Sequence, residues 1–186
     1  MGLSICTICS KQELFRMIEK AKKVRLLILD VDGVLTDGAI IYSDRGGESK
    51  SFNVKDGLGI KMLIQGGIKV AIISGRKSRA VEYRAKDLGI QEVYQGIKDK
   101  VAVFDEILKR NKINPEEIGF MGDDLIDLPL LYRVGFAIGV SDAVKEVKKA
   151  VDYVTRLPGG KGAVREVCEL LLTSQKKWRR CLEQLK

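Results

Sequence analysis

Histidine is absent from the 186 residues, and this absence narrows the chemistry more than any other feature of the composition. A serine or cysteine nucleophile that is activated by an imidazole is excluded, and so is a metal site built on imidazole ligands. Acid–base catalysis by this chain therefore falls to carboxylates, lysine, tyrosine or water.

Long apolar runs are also missing, since no stretch approaches the roughly 20 residues that span a bilayer. The first residues, "MGLSICTICSKQELF", lack the basic start and the apolar block of a secretory signal. We therefore expect a cytoplasmic protein that does not enter a membrane.

Cysteines are few, four in all, and their spacing does not form a disulfide framework. Cys6 and Cys9 are separated by two residues, but a structural zinc site needs a second close pair, and Cys168 and Cys181 are too far apart to supply one. A redox motif would follow a strand, and no strand is predicted before Cys6. We interpret the pair as incidental.

Basic residues outnumber acidic residues by 33 to 25, which gives a net charge of +8. Such an excess suits an anionic ligand, either a nucleic acid or a small molecule. The basic residues concentrate in "KKVR" and "KKWRR" rather than along a continuous face, and no nucleic-acid-binding motif is present. We therefore expect no nucleic acid partner.

Short apolar segments alternate with amphipathic ones along most of the chain. Strands are predicted at 25–30, 68–74, 92–95, 117–123, 135–139 and 152–155, and helices at 11–22, 57–65, 77–88, 98–111, 124–134, 142–150 and after the glycine-rich loop that begins at Pro158. This alternation implies a Rossmann-like α/β fold, a mainly parallel sheet with helices on both faces. No linker divides the chain, so residues 1–186 are expected to form a single domain.

The segment 38–54 interrupts the alternation and predicts a β-hairpin around an Asp-Arg-Gly-Gly turn. It carries apolar residues that we expect to be exposed, namely Ile40, Ile41, Tyr42 and Phe52. Because a lone hairpin is marginally stable in water, we expect it to pack on something, with another subunit as one possibility.

Carboxylates stand where predicted strands end. The run "RLLIL" stops at Asp30, and Asp32 follows two positions later. An EF-hand loop is excluded here, because Val34 and Ile41 occupy positions that need oxygen ligands. A metal-binding D-x-D of the glycosyltransferase type remains open from this segment alone.

The ends of later strands help to identify the chemistry of this site, because ligands of parallel sheets bind at the carboxyl ends of the strands. Ser74 and Asp123 occupy two such ends, and Lys100 lies near another strand–helix junction. Carboxylates with a hydroxyl and an ammonium group predict a magnesium-dependent phosphoryl-transfer site, in which Ser74 and Lys100 stabilise charge on the phosphate oxygens.

The segments "DVDGVLTDG" and "SGR", Lys100 and "GDD" resemble, in order, the four motifs of the haloacid dehalogenase superfamily of phosphatases over most of residues 24–139. This resemblance implies that Asp30 is the nucleophile and forms an aspartyl-phosphate. It implies that Asp32 is first the general acid and then the base that activates water. Mg²⁺ would be held by the Asp30 side chain, the Asp32 main-chain carbonyl and Asp123.

Asp124 and Asp127, in the same "GDD" region, would then orient the ligands rather than bind the metal. In this superfamily large members carry a cap domain, and here only the 38–54 hairpin occupies a cap position. The hairpin, followed by "FNVKDGLGI", is similar to the 3-deoxy-D-manno-octulosonate 8-phosphate phosphatase family over about residues 10–172.

That similarity implies hydrolysis of a sugar acid phosphate in lipopolysaccharide precursor synthesis. It also implies a homotetramer joined through the hairpins, in which a neighbour completes each site. The substrate contacts it implies are Asp32, Asn53, Val54, Lys55, Asp56, Gly57, Lys61, Arg76, Arg84 and Lys100.

Two alternatives stay open at this point. One keeps the chemistry and changes the substrate to a nine-carbon sugar acid 9-phosphate. The other is a non-catalytic oligomerisation module, although such relatives tend to lose the catalytic aspartates that this chain retains. The glycines of segment 158–166 suit a mobile loop that closes over a neighbouring site, and the basic extension 174–186 lies outside the resemblance.

Overall fold

A parallel sheet of six strands forms the centre of a computed structural model that describes residues 11–44 and 47–184. The Cys6–Cys9 pair, the Ser10 helix cap and part of the hairpin turn lie outside the described residues. The strands of the chain are β1 (Leu26–Leu29), β2 (Ile41–Tyr42), β3 (Glu48–Ser49), β4 (Lys69–Ser74), β5 (Glu92–Gln95), β6 (Ile118–Gly122), β7 (Phe136–Gly139) and β8 (Tyr153–Val154). The order across the sheet is β5-β4-β1-β6-β7-β8, and β2 and β3 pair antiparallel as a separate hairpin.

Helices connect the strands and cover the sheet. They are α1 (Lys11–Lys23), α2 (Val54–Gln65), α3 (Arg79–Leu88), α4 (Lys100–Asn111), α5 (Leu128–Leu131), α6 (Lys145–Ala150), α7 (Ala163–Ser174) and α8 (Trp178–Glu183). Helices α1, α2 and α7 pack together, and α5 packs against α4 and α6. The crossover through α2 runs along the sheet in the direction opposite to those through α4, α5 and α6, so right-handed crossovers place α2 on one face and α4, α5 and α6 on the other. Helices α1 and α7 pack on the α2 side.

The predicted fold class is confirmed, and the reason lies in the central strands. Every residue of β1, β6 and β7 is buried, as expected for strands covered on both faces. All six predicted strands are present within two residues of their expected bounds. Among the described residues, no helix combines the length and the apolar character needed to cross a bilayer.

The prediction of one continuous helix at 124–134 is wrong. The chain instead makes a 3₁₀ turn at Leu125–Asp127 followed by the single helical turn of α5. Asp124 accepts a hydrogen bond from the Leu125 amide, and Asp127 reaches back to the Asp124 amide, so the two residues cap a tight turn. Pro129 then lies in the first turn of α5, where a missing N–H costs nothing.

Helix α2 begins at Val54, three residues before the predicted start, because Asn53 caps it by accepting from the amides of Lys55 and Asp56. Gly57 and Gly59 lie inside the helix, where glycine is ordinarily unfavourable, because side chains of other helices approach them closely. A Cβ on Gly57 would lie 2.2 Å from an Arg84 nitrogen.

The C-terminal helix also departs from the prediction, since it breaks into α7 and α8 at residues 175–177. The Gln175 side chain donates to the carbonyl of Val24 at 2.7 Å, which anchors the break to the end of α1. Trp178 packs on the core beneath the Arg165 guanidinium, so the start of the basic extension is structured.

The predicted hairpin is present, with Ile41 opposite Ser49 and Tyr42 opposite Glu48. Its apolar residues Ile41 and Tyr42 are 51% and 67% exposed, as expected. The exposure expected for Phe52 is wrong, because its ring packs against the core and lies 5.9 Å from the Arg84 guanidinium carbon.

Candidate active site

Polar side chains from three central strands meet at the carboxyl edge of the sheet. Asp30 follows β1, Ser74 ends β4 and Asp123 follows β6, and these strands are adjacent in the sheet. The pairing of the Asp30 amide with the Met121 carbonyl, at 3.1 Å, holds the start of the Asp30 loop against β6. A cavity of about 240 Å³ opens here, lined by Asp30, Asp32, Gly38, Ser74, Gly75, Arg76, Asp123, Asp124 and Ile126.

Asp30 is buried beneath this cavity and is paired with Lys100. The Lys100 ammonium lies 2.9 Å from Asp30 Oδ1 and 2.6 Å from Asp127 Oδ1, and the Lys100 side chain is 5% exposed. Burial raises the pKa of Asp30 although Lys100 opposes the shift. Burial disfavours the charged form of Lys100, but the two carboxylates more than offset it, so the Lys100 pKa lies above its ordinary value.

Asp127 stabilises the Asp30–Lys100 pair from the interior of the protein. Its Oδ2 accepts from the Asp123 amide at 2.9 Å and from the Asp124 amide at 3.3 Å, while Oδ1 accepts from Lys100. The residue is fully buried. Gly122 makes room for it, since a Cβ there would lie 2.6 Å from Asp127 Oδ2. Asp127 therefore fixes both the lysine and the backbone that carries Asp123.

Three carboxylates come close enough to share a cation. Oxygens of Asp30, Asp123 and Asp127 lie within 4.8 Å of one another, the one such group among the described residues. Both Asp127 oxygens already accept hydrogen bonds, which leaves Asp30 and Asp123 to face a metal. Burial and the neighbouring Asp30 raise the pKa of Asp123 to about 7, because a buried carboxyl group beside another carboxylate is harder to ionise.

The donors fit Mg²⁺, because all are oxygens and the cluster carries excess negative charge. A backbone feature keeps the site open. Gly33 has a φ of +88°, and a Cβ there would stand 2.0 Å from Asp123 Oδ2. Only glycine can place the Asp30 loop this close to the Asp123 carboxylate.

The hairpin reaches into the site of its own chain through residues that the sequence did not single out. Lys50, just after β3, lies 2.5 Å from Asp32 Oδ1 and 3.1 Å from Glu48 Oε1, and its side chain is 1% exposed. Arg76 pairs with Glu48 at 2.6 Å and also donates to the Tyr42 hydroxyl at 3.2 Å. No motif pointed to Lys50, Glu48 or Tyr42, because their contacts depend on how the hairpin docks.

Ser74 is buried, and its hydroxyl accepts a hydrogen bond from the Arg76 amide at 3.3 Å. This contact shapes the turn after β4 so that the Ser74 hydroxyl and the Arg76 side chain both line the cavity. Asp30, Asp32, Ser74, Arg76 and Asp123 are thus brought together, with Lys100 directly behind Asp30.

The remaining residues implied as substrate contacts do not line this cavity within the chain. They lie at the cap of α2, on α2 and on α3, and are Asn53, Val54, Lys55, Asp56, Gly57, Lys61 and Arg84. Val54 is 81% exposed, and Lys55 and Lys61 point to the surface. Arg84 donates to the Asn53 carbonyl at 3.1 Å.

Asp56 is 2% exposed and faces α7 rather than the cavity. Its two oxygens accept from the amides of Gly162 at 3.3 Å and Arg165 at 2.7 Å. A carboxylate at this position satisfies the free amides at the start of α7 and complements the helix dipole. In the single chain, Asp56 therefore ties α2 to α7.

The glycine-rich loop before α7 packs against the Asp30 loop of its own chain. The Gly160 amide donates to the Val34 carbonyl at 2.9 Å. A Cβ on Gly159 would lie 1.7 Å from the Gly33 carbonyl oxygen. Close backbone approach accounts for these glycines, so they do not by themselves indicate a mobile loop.

Comparison with known proteins agrees with this geometry. A family model described as haloacid dehalogenase-like hydrolase matches residues 89–165. The chain is 50% identical over 161 residues to 3-deoxy-D-manno-octulosonate 8-phosphate phosphatase KdsC of Escherichia coli (strain K12), covering 87% of this chain and 86% of that protein.

Solved structures of such proteins superpose closely on the chain. The 3-deoxy-D-manno-octulosonate 8-phosphate phosphatase from Yersinia pestis has a TM-score of 0.87 and 47% identity, covering 88% of this chain and 89% of that one. The enzyme from Moraxella catarrhalis, solved in complex with a magnesium ion, a phosphate ion and a KDO molecule, has a TM-score of 0.89 and 42% identity, covering 91% and 98%.

Proposed function

The chain belongs to the 3-deoxy-D-manno-octulosonate 8-phosphate phosphatase family of haloacid dehalogenase-like hydrolases, and from this premise we propose that it hydrolyses that sugar acid phosphate to the free sugar acid and phosphate. The reaction would serve lipopolysaccharide precursor synthesis and would use Mg²⁺. The observation that carries the proposal is the buried Asp30, paired with Lys100 at 2.9 Å and facing the cavity beside Asp123.

Asp30 is proposed as the nucleophile. One of its oxygens forms a bond to phosphorus as the bond from phosphorus to the sugar oxygen breaks, which gives an aspartyl-phosphate. The Lys100 ammonium beside Asp30 Oδ1 holds the carboxylate in place and opposes the rise in the Asp30 pKa that burial causes, which supports this role. Lys100 and the Ser74 hydroxyl then stabilise charge on the phosphate oxygens.

Asp32 is proposed to move the proton. It gives a proton to the departing sugar oxygen, and it later takes one from the water that attacks the aspartyl-phosphate, so that phosphate leaves and both carboxylates return to their starting state. Its place in the cavity lining, two residues after Asp30, supports this assignment.

The site residues fit Mg²⁺, and we assign the Asp30 side chain, the Asp32 main-chain carbonyl and Asp123 to hold it. When bound, the ion neutralises phosphate charge so that an anionic nucleophile can approach. The chain's own contribution is the orientation of Asp123, whose backbone amide is held by Asp127.

Phosphate release tests this function directly. The unaltered chain should release phosphate from 3-deoxy-D-manno-octulosonate 8-phosphate only with Mg²⁺, and Asp30→Asn should abolish turnover. Asp37→Asn is a matched control, since Asp37 is an exposed carboxylate that does not line the cavity. Turnover by Asp30→Asn would contradict the mechanism, and preference for a nine-carbon sugar acid 9-phosphate would reassign the substrate.

We further propose a homotetramer joined through the 38–54 hairpins, acting in the cytoplasm. The exposure of Ile40, Ile41 and Tyr42 at 45–67% supports the assembly, because such a patch on a two-stranded hairpin favours a partner. The exposed positions of Val54, Lys55 and Lys61 leave these residues free to complete a neighbouring site. Ile41→Asp should lower the sedimentation coefficient, and a monomeric unaltered chain would contradict the assembly.

A further inference from the structure

The ion pair between Lys50 and Asp32 is an unusual use of a hairpin lysine. Lysine on a hairpin is ordinarily solvated, but the Lys50 side chain is 1% exposed and its two partners are both carboxylates of the site, Asp32 and Glu48. Burial disfavours the charged form, but these partners more than offset it and keep the Lys50 pKa above its ordinary value. Lys50 is therefore a fixed cation rather than a mobile surface charge.

Two cations flank the Asp32 carboxylate, Lys50 at hydrogen-bond distance and Arg76 at the longer distance of an ion pair. Among residues 11–44 and 47–184, Lys50 is the one donor of a hydrogen bond to the Asp32 carboxylate. Arg76 Nε stands 3.7 Å from Asp32 Oδ2, beyond hydrogen-bond distance, and has no hydrogen-bond partner of its own in this part of the chain. Asp32 Oδ1 thus accepts from Lys50, whereas Asp32 Oδ2 has the longer ion pair with Arg76 and accepts no hydrogen bond from the described residues, so it can carry the proton.

Glu48 fixes the lysine in turn. Its carboxylate lies between the Lys50 ammonium at 3.1 Å and the Arg76 guanidinium at 2.6 Å, and the Glu48 side chain is 17% exposed. The pKa of Glu48 lies below its ordinary value, with the hydrogen bond from Arg76 as the main cause. The hairpin therefore carries a matched pair of charges into the site instead of a single lysine.

Proton transfer depends on orientation, since the acid must lie within hydrogen-bond reach of the departing oxygen. Resting on the proposed function, we infer that Lys50 is a positioning residue that holds Asp32 Oδ1 so that Asp32 Oδ2 faces the departing sugar oxygen. Lys50 itself does not touch the reacting atoms. Removing it frees the Asp32 side chain to rotate toward solvent and separates the acid from its substrate.

Two aryl esters of similar size test this role. Phenyl phosphate and p-nitrophenyl phosphate differ mainly in the leaving oxygen, which needs a proton in the first and much less in the second. Lys50→Met should lower kcat/KM for phenyl phosphate about 100-fold, the range of general acid catalysis, and for p-nitrophenyl phosphate less than about 10-fold. Lys50→Arg should restore most of the loss, and Lys109→Met, on the exposed face of α4, should change neither value.

A double variant separates positioning from simple disruption of the hairpin. If Lys50 acts through Asp32, then adding Lys50→Met to Asp32→Asn should leave the residual kcat/KM for p-nitrophenyl phosphate within about twofold of Asp32→Asn alone. Equal losses on both esters, or a further large loss in the double variant, would overturn the inference. If the unaltered chain cleaved neither these esters nor the sugar acid phosphate, the proposed function itself would fail.

Discussion

Replacing Asp127 by asparagine should cost about 3–5 kcal/mol of unfolding free energy in Mg²⁺, the range for removing one partner of a buried ion pair. The carboxylate accepts from Lys100 on one oxygen and from the Asp123 and Asp124 amides on the other. An asparagine can accept on one side only. Its NH₂ group must therefore face either a buried ammonium or two backbone amides, which leaves donors unsatisfied at about 1–3 kcal/mol each.

Thermal and urea unfolding measure this loss. For a chain of this size it corresponds to a melting temperature lower by roughly 10 °C. Asp124→Asn is the matched control, because Asp124 is exposed, caps the 3₁₀ turn at its first residue, and asparagine caps about as well as aspartate. The free energy of unfolding of that variant should lie within about 1 kcal/mol of the value for the unaltered chain, as is usual for surface substitutions.

The metal dependence sharpens the test. Without Mg²⁺, Asp127 also repels its neighbours, since it contributes to the raised pKa values of Asp30 and Asp123. Losing its charge relieves that repulsion, so the destabilisation in chelator should be smaller than in Mg²⁺. A loss below about 1 kcal/mol in Mg²⁺, or a larger loss in chelator than in Mg²⁺, would refute the structural role assigned to Asp127.

Three further outcomes follow from the geometry. Gly33→Ala should weaken Mg²⁺ binding at least tenfold by calorimetric titration, because the added Cβ would displace Asp123 Oδ2. The strained φ of +88° should also lower the free energy of unfolding by about 1–2 kcal/mol. An unchanged Mg²⁺ affinity would contradict the close approach of Gly33 to Asp123. Mg²⁺ should raise the melting temperature more at pH 8 than at pH 6. Because the Asp123 pKa is about 7, protons compete with the metal for this carboxylate below that pH. A larger rise in melting temperature at pH 6 would contradict this competition. Asp56→Ala should lower the free energy of unfolding by about 2–4 kcal/mol, since two amides at the start of α7 lose their acceptor. A raised KM with an unchanged free energy of unfolding would show instead that Asp56 acts on substrate.

The sheet and the carboxylates at its edge were predictable because each rests on a local signal. A continuously apolar run that stops at Asp30 or Asp123 indicates both a buried strand and the end at which ligands bind. Helix starts were less predictable, because the Asn53 cap of α2 competes with glycines that ordinarily disfavour helix. Those glycines are explained only by the approach of Arg84 and Arg165 from other helices.

The contacts that the sequence did not predict depend on how distant segments pack against one another. The contact of Lys50 with Asp32 joins residues 18 positions apart, and no periodicity or motif relates them. Asp56 lies in a segment that resembles a substrate loop, yet its bonds to Gly162 and Arg165 span more than 100 positions. Long-range partners of this kind depend on how α7 and the hairpin pack, which a linear pattern does not encode.

The hairpin connects the proposed assembly to the proposed acid through a single short element. Among the described residues, two ladder pairs and the hydrogen bonds between Ser43 and Gly47 join β2 to β3, and an isolated hairpin of this size is marginally stable in water. Its outward side presents Ile41 and Tyr42, while its inward side carries Lys50 to Asp32. Because both sides belong to one marginal element, whatever covers Ile41 also stabilises the position of Lys50. In the proposed tetramer a neighbour's surface would cover Ile41, and the orientation of the proposed acid would then depend on that neighbour.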